Sequence, residues 1–376
     1  MSLYIDLTEF LDKPITTGIQ RVAGELCKHL PPGTAIPVRL HSRRYTAFSP
    51  DLIQTIGLHF TNPSESGVAE LRRLAAIERG SAIQISQHDT VLVPELFIDP
   101  RRIAFFRDMT QSEFERYRFI VYDLIPITHP EYFPSEWPLQ TYGYFQIIRR
   151  AFCCGFISQH TREAYYGRLR RTSARGGVVL PLGSDSLGPR PVQPALDHPP
   201  TFTVVGNIEP RKHHELVLEA FEPLLHKING LKLLFVGKMD HDSEFTRKLR
   251  GLAANKSSGF EFHASADDAK LRSYLERSRA TIYVSDAEGY GLPPVESLWV
   301  GTPVIASRTI PSLQAVGAAG VHYVEPLNPV NLRGAVLAFL DNAYANRKTE
   351  ETLQLNLPTW AAFTREVRHW WGNDGG

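Results

Sequence analysis

The chain has 376 residues, 43% hydrophobic and 22% charged, with 41 Lys and Arg against 40 Asp and Glu and a net charge of +1. That balance provides no global field for nucleic acid, and the length accommodates two domains at about 100–200 residues each. Cys27, Cys153 and Cys154 make neither a disulfide framework nor a zinc site; with no signal-peptide pattern in Met-Ser-Leu-Tyr-Ile-Asp and no apolar run of about 18 residues, the expectation is a cytoplasmic protein.

Taken in chain order, short β-rich runs alternate with helical patterns, which predicts an α/β protein with parallel sheets. In the first half the strand candidates are Leu3–Leu7, Thr34–Leu40, Thr90–Pro94, Phe119–Ile125 and Gly155–Ser158. Between the first two, Ile19, Val22, Leu26 and Leu30 fall on one face of a helix over Gly18–Leu30. Six prolines and two glycines interrupt all periodicity over 181–200, reading as a linker. The alternation then restarts with Phe202–Val205, a helix striped by Leu216, Val217, Ala220, Phe221 and Leu224, and strands at Leu233–Val236, Thr281–Val284, Val304–Ala306 and Val321–Val324. A tail helix carries Trp360, Phe363, Val367, Trp370 and Trp371, a face too apolar to stand in water. The expected organisation is a Rossmann-like domain over 1–183, a proline-rich linker over 184–200, a second Rossmann-like domain over 201–350, and a C-terminal helix over 351–376 packing back on the first domain. Two doubly wound halves place a ligand in the cleft between them, at strand C-terminal ends.

The most informative stretch is Asp286-Ala-Glu288-Gly-Tyr-Gly-Leu-Pro-Pro-Val-Glu296. Two glutamates flank seven residues containing two glycines and then two prolines. Prolines 293 and 294 suit a helix start, and the glycines let backbone N–H groups approach a ligand. Acceptors on either side would hold hydroxyls, with bare N–H groups between them for phosphate. The bland reading is two solvated glutamates around a turn. A second stretch, Val205-Gly206-Asn207-Ile208-Glu209-Pro210-Arg211-Lys212, runs from strand into helix. Cations in a first turn oppose the helix dipole by about 0.3–1 kcal/mol each, so Arg211 and Lys212 are misplaced unless an anion docks there. A third, Thr16-Thr17-Gly18-Ile19-Gln20-Arg21, is a capped helix start in the other half. A fourth, Tyr122-Asp123-Leu-Ile-Pro126-Ile-Thr-His129, lies at a strand end, with Asp123 and His129 as candidate reactive groups.

These residues resemble the retaining glycosyltransferases of the GT-B fold, family four, marked by the E-x7-E pair that Glu288 and Glu296 form here. Gly206–Lys212 is similar to that family's phosphate-binding segment. Thr-Gly-Ile-Gln-Arg-Val and Tyr-Asp-Leu-Ile-Pro resemble a subgroup building bacterial surface polysaccharides, often with GDP-mannose. The resemblance implies that Glu288 binds donor-sugar hydroxyls and that the backbone of Gly289, Tyr290, Gly291 and Leu292 faces sugar and phosphate. It implies that Glu296 accepts from the ribose and that Lys212, with Arg211 beside it, neutralises the diphosphate. Gly18 would lie against the phosphates from the other side. Asn207 stands at the donor where many relatives have Arg, and Tyr122 where many have His. The group nearest the anomeric carbon is then Asp123 or His129. The implied reaction is hexosyl transfer with retention, without metal or cofactor, from a nucleotide-sugar to a saccharide or lipid-linked glycan, as in lipopolysaccharide O-antigen biosynthesis.

Arg43, Arg44, Arg168, Arg170, Arg171 and Arg175 could meet an anionic inner-membrane face at about 1 kcal/mol per residue; a solvated face explains them as well. Rival readings are a GT-B nucleotide-sugar epimerase, a phosphorylase, a nicotinamide-dependent oxidoreductase and a catalytically silent lectin-like subunit. No lysine is marked for pyridoxal phosphate, and no G-x-G-x-x-G follows the first strand.

Overall fold

The computed structural model describes residues 2–14, 17–61, 67, 69, 71, 73, 82–169, 177–193, 198–239 and 242–372. The chain divides into two compact units, Met1–Gly183 with Thr359–Gly376, and Ser184–Pro358. Thr16, Arg170, Arg171 and Arg175 lie outside the described residues.

In the first unit the strands are β1 (Leu3–Asp6), β2 (Ile36–His41), β3 (Arg44–Ala47), β4 (Ala82–Ile83), β5 (Thr90–Val93), β6 (Tyr117–Val121), β7 (Cys153–Phe156) and β8 (Val178–Val179). They form one sheet in the order β4-β3-β2-β1-β5-β6-β7-β8. β5 and β6 are buried at every position, as expected of apolar runs covered by helices on both faces. Val91, Val93, Phe119 and Val121 pack there with Tyr144, Phe145 and Ile148 of the helix Glu136–Arg150. The sheet is parallel from β2 through β8, but β2, β3 and β4 pair antiparallel, a departure from the purely parallel expectation. The strand expected over Phe119–Ile125 ends at Val121. Asp123 Oδ1 accepts the Ile125 N–H at 3.0 Å and Pro126 enters a helical turn over Ile125–Thr128, which removes ladder groups the strand would need.

The second unit holds β9 (Thr201–Val205), β10 (Lys232–Val236), β11 (Phe260–His263), β12 (Ala280–Tyr283), β13 (Val304–Ala306) and β14 (Val321–Tyr323). Their order is β11-β10-β9-β12-β13-β14, all parallel. The order reverses between β9 and β12, so the loops after those two strands flank the switch point where open α/β sheets bind ligands.

Two expected boundaries move. The proline-rich stretch is not a free linker where it is described: Leu187 is buried with Leu275 and Val300, Arg272 Nη1 donates to the Leu187 and Pro189 carbonyls at 2.9 and 2.8 Å, and Trp299 Nε1 donates to Gly188 at 2.8 Å. Proline removes N–H groups but leaves carbonyls for partners to hold. The expected break at 350 falls inside the helix Asn342–Leu353, and the chain returns to the first unit at Thr359. There Trp360–Gly372 buries Trp360, Phe363, Val367 and Trp371 against the helix Gly18–His29 and β5. Gly183 is required beneath it, since a Cβ would come within 2.3 Å of the Trp360 nitrogen. Among the described residues no helix is long and apolar enough to cross a membrane.

Candidate active site

The first loop leaves β9 at Gly206, whose φ of +144° excludes most side chains. Its N–H donates to Val236 O at 2.9 Å. Asn207 Oδ1 accepts from Lys238 N at 3.2 Å, tying this loop to the one after β10. Pro210–Lys212 form a single 3-10 turn and His213, at φ +49°, redirects the chain into the helix His214–Leu225. That reversal folds Lys212 back over Gly206: a Cβ on Gly206 would stand 3.0 Å from the ammonium nitrogen. The Lys212 side chain is only 15% exposed, with Glu209 Oε1 3.8 Å away. Burial pulls its pKa below the ordinary lysine value, against the opposite pull of Glu209 and Glu288. A partly desolvated ammonium is a site for an anion.

The second loop leaves β12 and ends in the helix Leu292–Trp299, one residue earlier than Pro293. Gly291 precedes it at φ +90°, and a Cβ there would meet Ile310 Cγ2 at 2.7 Å. Ser312 braces this turn, its N–H donating to Tyr290 O at 2.8 Å and its hydroxyl to Gly291 O at 2.7 Å. Gly289, Tyr290 and Gly291 are buried while Leu292 is half-buried. Glu288 stands before the helix and Glu296 in its second turn. The Glu296 carboxylate is buried and accepts from the Ser186 hydroxyl. Glu288 lies beside Tyr283, whose phenol is pushed well above its usual pKa by burial and then by that carboxylate.

The loops are joined directly. Arg211 Nη1 lies 2.5 Å from Glu288 Oε1 and 2.6 Å from the Ala287 carbonyl, while Nη2 meets Glu209 Oε2 at 2.7 Å. Asp286 N–H donates to Arg211 O at 2.9 Å, and His213 Nε2 meets Asp286 Oδ1 at 2.7 Å. The structure thus brings Asn207, Arg211, Lys212, Glu288, Gly289, Tyr290, Gly291, Leu292 and Glu296 into one unit, on two adjoining loops and the helix that follows the second. Ser186, Tyr283 and Ser312 escaped the sequence reading. Ser186 sits in the proline-rich stretch, and only its polarity within that stretch could have marked it.

Gly18, Asp123 and His129 belong to the first unit. Gly18 opens the helix Gly18–His29, capped by Thr17 Oγ1 accepting from Gln20 N at 3.2 Å; it is exposed, and a Cβ there would meet nothing within 4 Å. Asp123 is half-buried at the end of β6. His129 is 41% exposed, its Nδ1 3.1 Å from Glu131 Oε1, its ring stacked on Tyr132. Tyr122 is buried with its hydroxyl donating to Pro94 O at 2.5 Å. Of the basic side chains proposed for a membrane, Arg43 pairs with Asp108 at 2.9 Å, and Arg44 and Arg168 are exposed.

Residues 190–354, which contain both loops, match the family model described as glycosyl transferases group 1. The second unit carries a group 1 glycosyltransferase domain. Around that group 1 domain, the chain is similar to serotype-specific mannosyltransferase WbdA of Escherichia coli, 26% identical over 387 residues that cover 95% of this chain and 43% of that protein. The chain therefore spans less than half the length of that relative. Phosphatidyl-myo-inositol mannosyltransferase of Mycobacterium tuberculosis is 29% identical over 133 residues, 35% of this chain and 33% of that one. Among solved structures, Anabaena Alr3699/HepE in complex with UDP and glucose has a TM-score of 0.65 at 13% identity, covering 99% of this chain and 100% of that one. Sucrose-phosphate synthase of Thermosynechococcus elongatus has a TM-score of 0.60 at 17% identity, covering 99% and 98%. At these identities the likeness is one of fold, and the fold around the group 1 domain is GT-B.

Proposed function

We propose that this chain is a retaining, metal-independent glycosyltransferase that moves a hexose, read as mannose from GDP-mannose, to a saccharide or lipid-linked saccharide in bacterial polysaccharide biosynthesis. One observation carries the reading: a nearly buried lysine, Lys212, lies against Gly206 beside the loop that carries Glu288 and leads into the helix that carries Glu296. Similarity to two mannosyltransferases supports the choice of sugar. Lys212 holds the diphosphate, and its positive charge favours the departing nucleotide because negative charge grows on that phosphate in the transition state. Glu288 accepts from sugar hydroxyls and Glu296, steadied by Ser186, from the ribose. The leaving phosphate takes the acceptor proton on the face it departs from, so configuration is retained without a protein nucleophile.

The test is a thermal-shift panel of UDP, GDP, dTDP and ADP with their sugars, followed by turnover with EDTA present and NMR of the product anomer. GDP should raise the melting temperature and Lys212→Ala should erase most of that rise. Glu288→Gln should cut transfer by about 10²–10³-fold with the fold intact. A GDP shift that survives in Lys212→Ala, or an inverted anomer, would overturn the proposal.

A further inference from the structure

We infer that Arg211 is a positioning residue rather than a phosphate ligand: its guanidinium fixes the sugar-binding carboxylate of Glu288 and locks the two site loops at one spacing. The inference rests on the proposed donor site and assigns Arg211 a different task within it. A first-turn arginine beside a phosphate-binding lysine invites the reading that both cations face the anion. The geometry points elsewhere. One arm of the guanidinium lies on Glu288 Oε1 and the Ala287 carbonyl at 2.5 and 2.6 Å, the other on Glu209 Oε2 at 2.7 Å. These are a hydrogen bond to the Ala287 carbonyl and ion pairs to two carboxylates, all reached by one planar guanidinium, and both partners of the Arg211–Glu288 pair are little exposed, 13% and 11%. The backbone repeats the link, with Asp286 N–H on Arg211 O at 2.9 Å, and a side-chain pair adds to it, His213 Nε2 on Asp286 Oδ1 at 2.7 Å. Every one of these contacts crosses, or steadies the crossing, from the loop after β9 to the loop after β12. Glu209, shared between Arg211 and Lys212 at 2.7 and 3.8 Å, relates the lysine to the same frame.

The consequence is a division of labour. Lys212 recognises the diphosphate whatever the sugar. Arg211 acts only through Glu288, hence only on ligands that carry a sugar. An ionised carboxylate has about four acceptor positions, so pairing with one guanidinium arm leaves capacity for hydroxyls while fixing the direction in which they are met.

The experiment compares the dissociation constants of GDP and GDP-mannose for the full chain, by calorimetry, in Arg211→Gln, Arg211→Lys, Glu288→Gln and the double variant Arg211→Gln/Glu288→Gln, with Lys212→Ala as reference. Arg211→Gln should leave GDP affinity within about twofold and weaken GDP-mannose by about tenfold or more, the scale of one charge-assisted contact. Arg211→Lys should lose the sugar increment as well, since a lysine cannot make the fork. The double variant should lose no more than Glu288→Gln alone, because the two act as a unit. A fall in GDP affinity in Arg211→Gln that Arg211→Lys restores would make Arg211 a phosphate ligand and overturn the inference, as would additive losses in the double variant. Should Arg211→Gln fail to fold, Arg211→Lys and the same additivity test on it decide the matter. Unchanged GDP binding in Lys212→Ala would instead sink the donor-site reading itself.

Discussion

Glu95 lies wholly inside the first unit and makes its own case for how far environment can move a side chain. Its Oε2 accepts the Glu9 and Phe10 N–H groups at 3.1 and 3.2 Å. Burial pushes its pKa up to about 8; Arg102 pulls it down, and the neighbouring acids Glu9 and Asp6 push it up again. Arg102 itself is taken by Asp6 at 2.7 Å and Glu9 at 2.8 Å. A carboxyl whose folded pKa exceeds its unfolded value binds more protons when folded, so its contribution to stability is complete below about 4.5 and is lost as pH rises toward about 8. Glu95→Gln should therefore match the parent near pH 4.5 and exceed it at pH 8, by on the order of 1–3 kcal/mol; denaturant melts at the two pH values measure the difference. His214 works in the opposite sense. Burial and then the Lys212 charge lower its pKa to about 3, so its share of stability holds above about 6.5 and is lost on acidification toward 3. Nothing in the sequence separated Glu95 or His214 from ordinary residues of their type, because both shifts come from burial. Lys212 and the glutamate pair were legible because their spacing is local.

At the scale of elements, the loop-to-helix joint at Gly291 combines a φ of +90° with a contact that a methyl group would violate. Gly291→Ala should cost about 1–3 kcal/mol through backbone strain alone, read as a lowered denaturation midpoint of the second unit, and should weaken binding of nucleotide to a loop that no longer closes on Ser312. A variant as stable as the parent would show that the turn is not set by glycine. The hydrophobic runs of β5, β6, β9 and β12 announced themselves in the chain because buried parallel strands carry no alternation. β3, β4, β8 and β11 did not. Arg44-Tyr-Thr-Ala47 exposes Arg44 and buries Tyr45, a pattern too short to tell from a loop, and its pairing with β2 depends on the turn at Ser42 and Arg43, both at positive φ. The strand expected to reach Ile125 failed for a related reason: an Asp side chain two residues away offered the backbone a partner that the sheet did not.

At the scale of the molecule, each unit closes its own core, and the first completes itself with the chain's last helix. Trp371 is fully buried there. Trp371→Ala should destabilise the first unit by about 3–5 kcal/mol and leave the second unchanged, which hydrogen exchange followed unit by unit would resolve; equal loss of protection in both units would refute the division. The tryptophan-rich face foretold burial, but where the chain crosses back, at Thr359 and not 351, depended on Gly183 yielding room for Trp360. What the sequence determined by itself was periodic or contiguous: alternating α and β segments, a buried face on the tail, the E-x7-E spacing and the Gly206–Lys212 segment that ends in a lysine. Tertiary structure alone decided that Arg211 turns toward Glu288, that Ser186 steadies Glu296, and that burial raises the pKa of Glu95. Local patterns record which face of an element is apolar, whereas the direction of a charge and its pKa are set by partners tens of residues away that only the folded chain brings within hydrogen-bond reach.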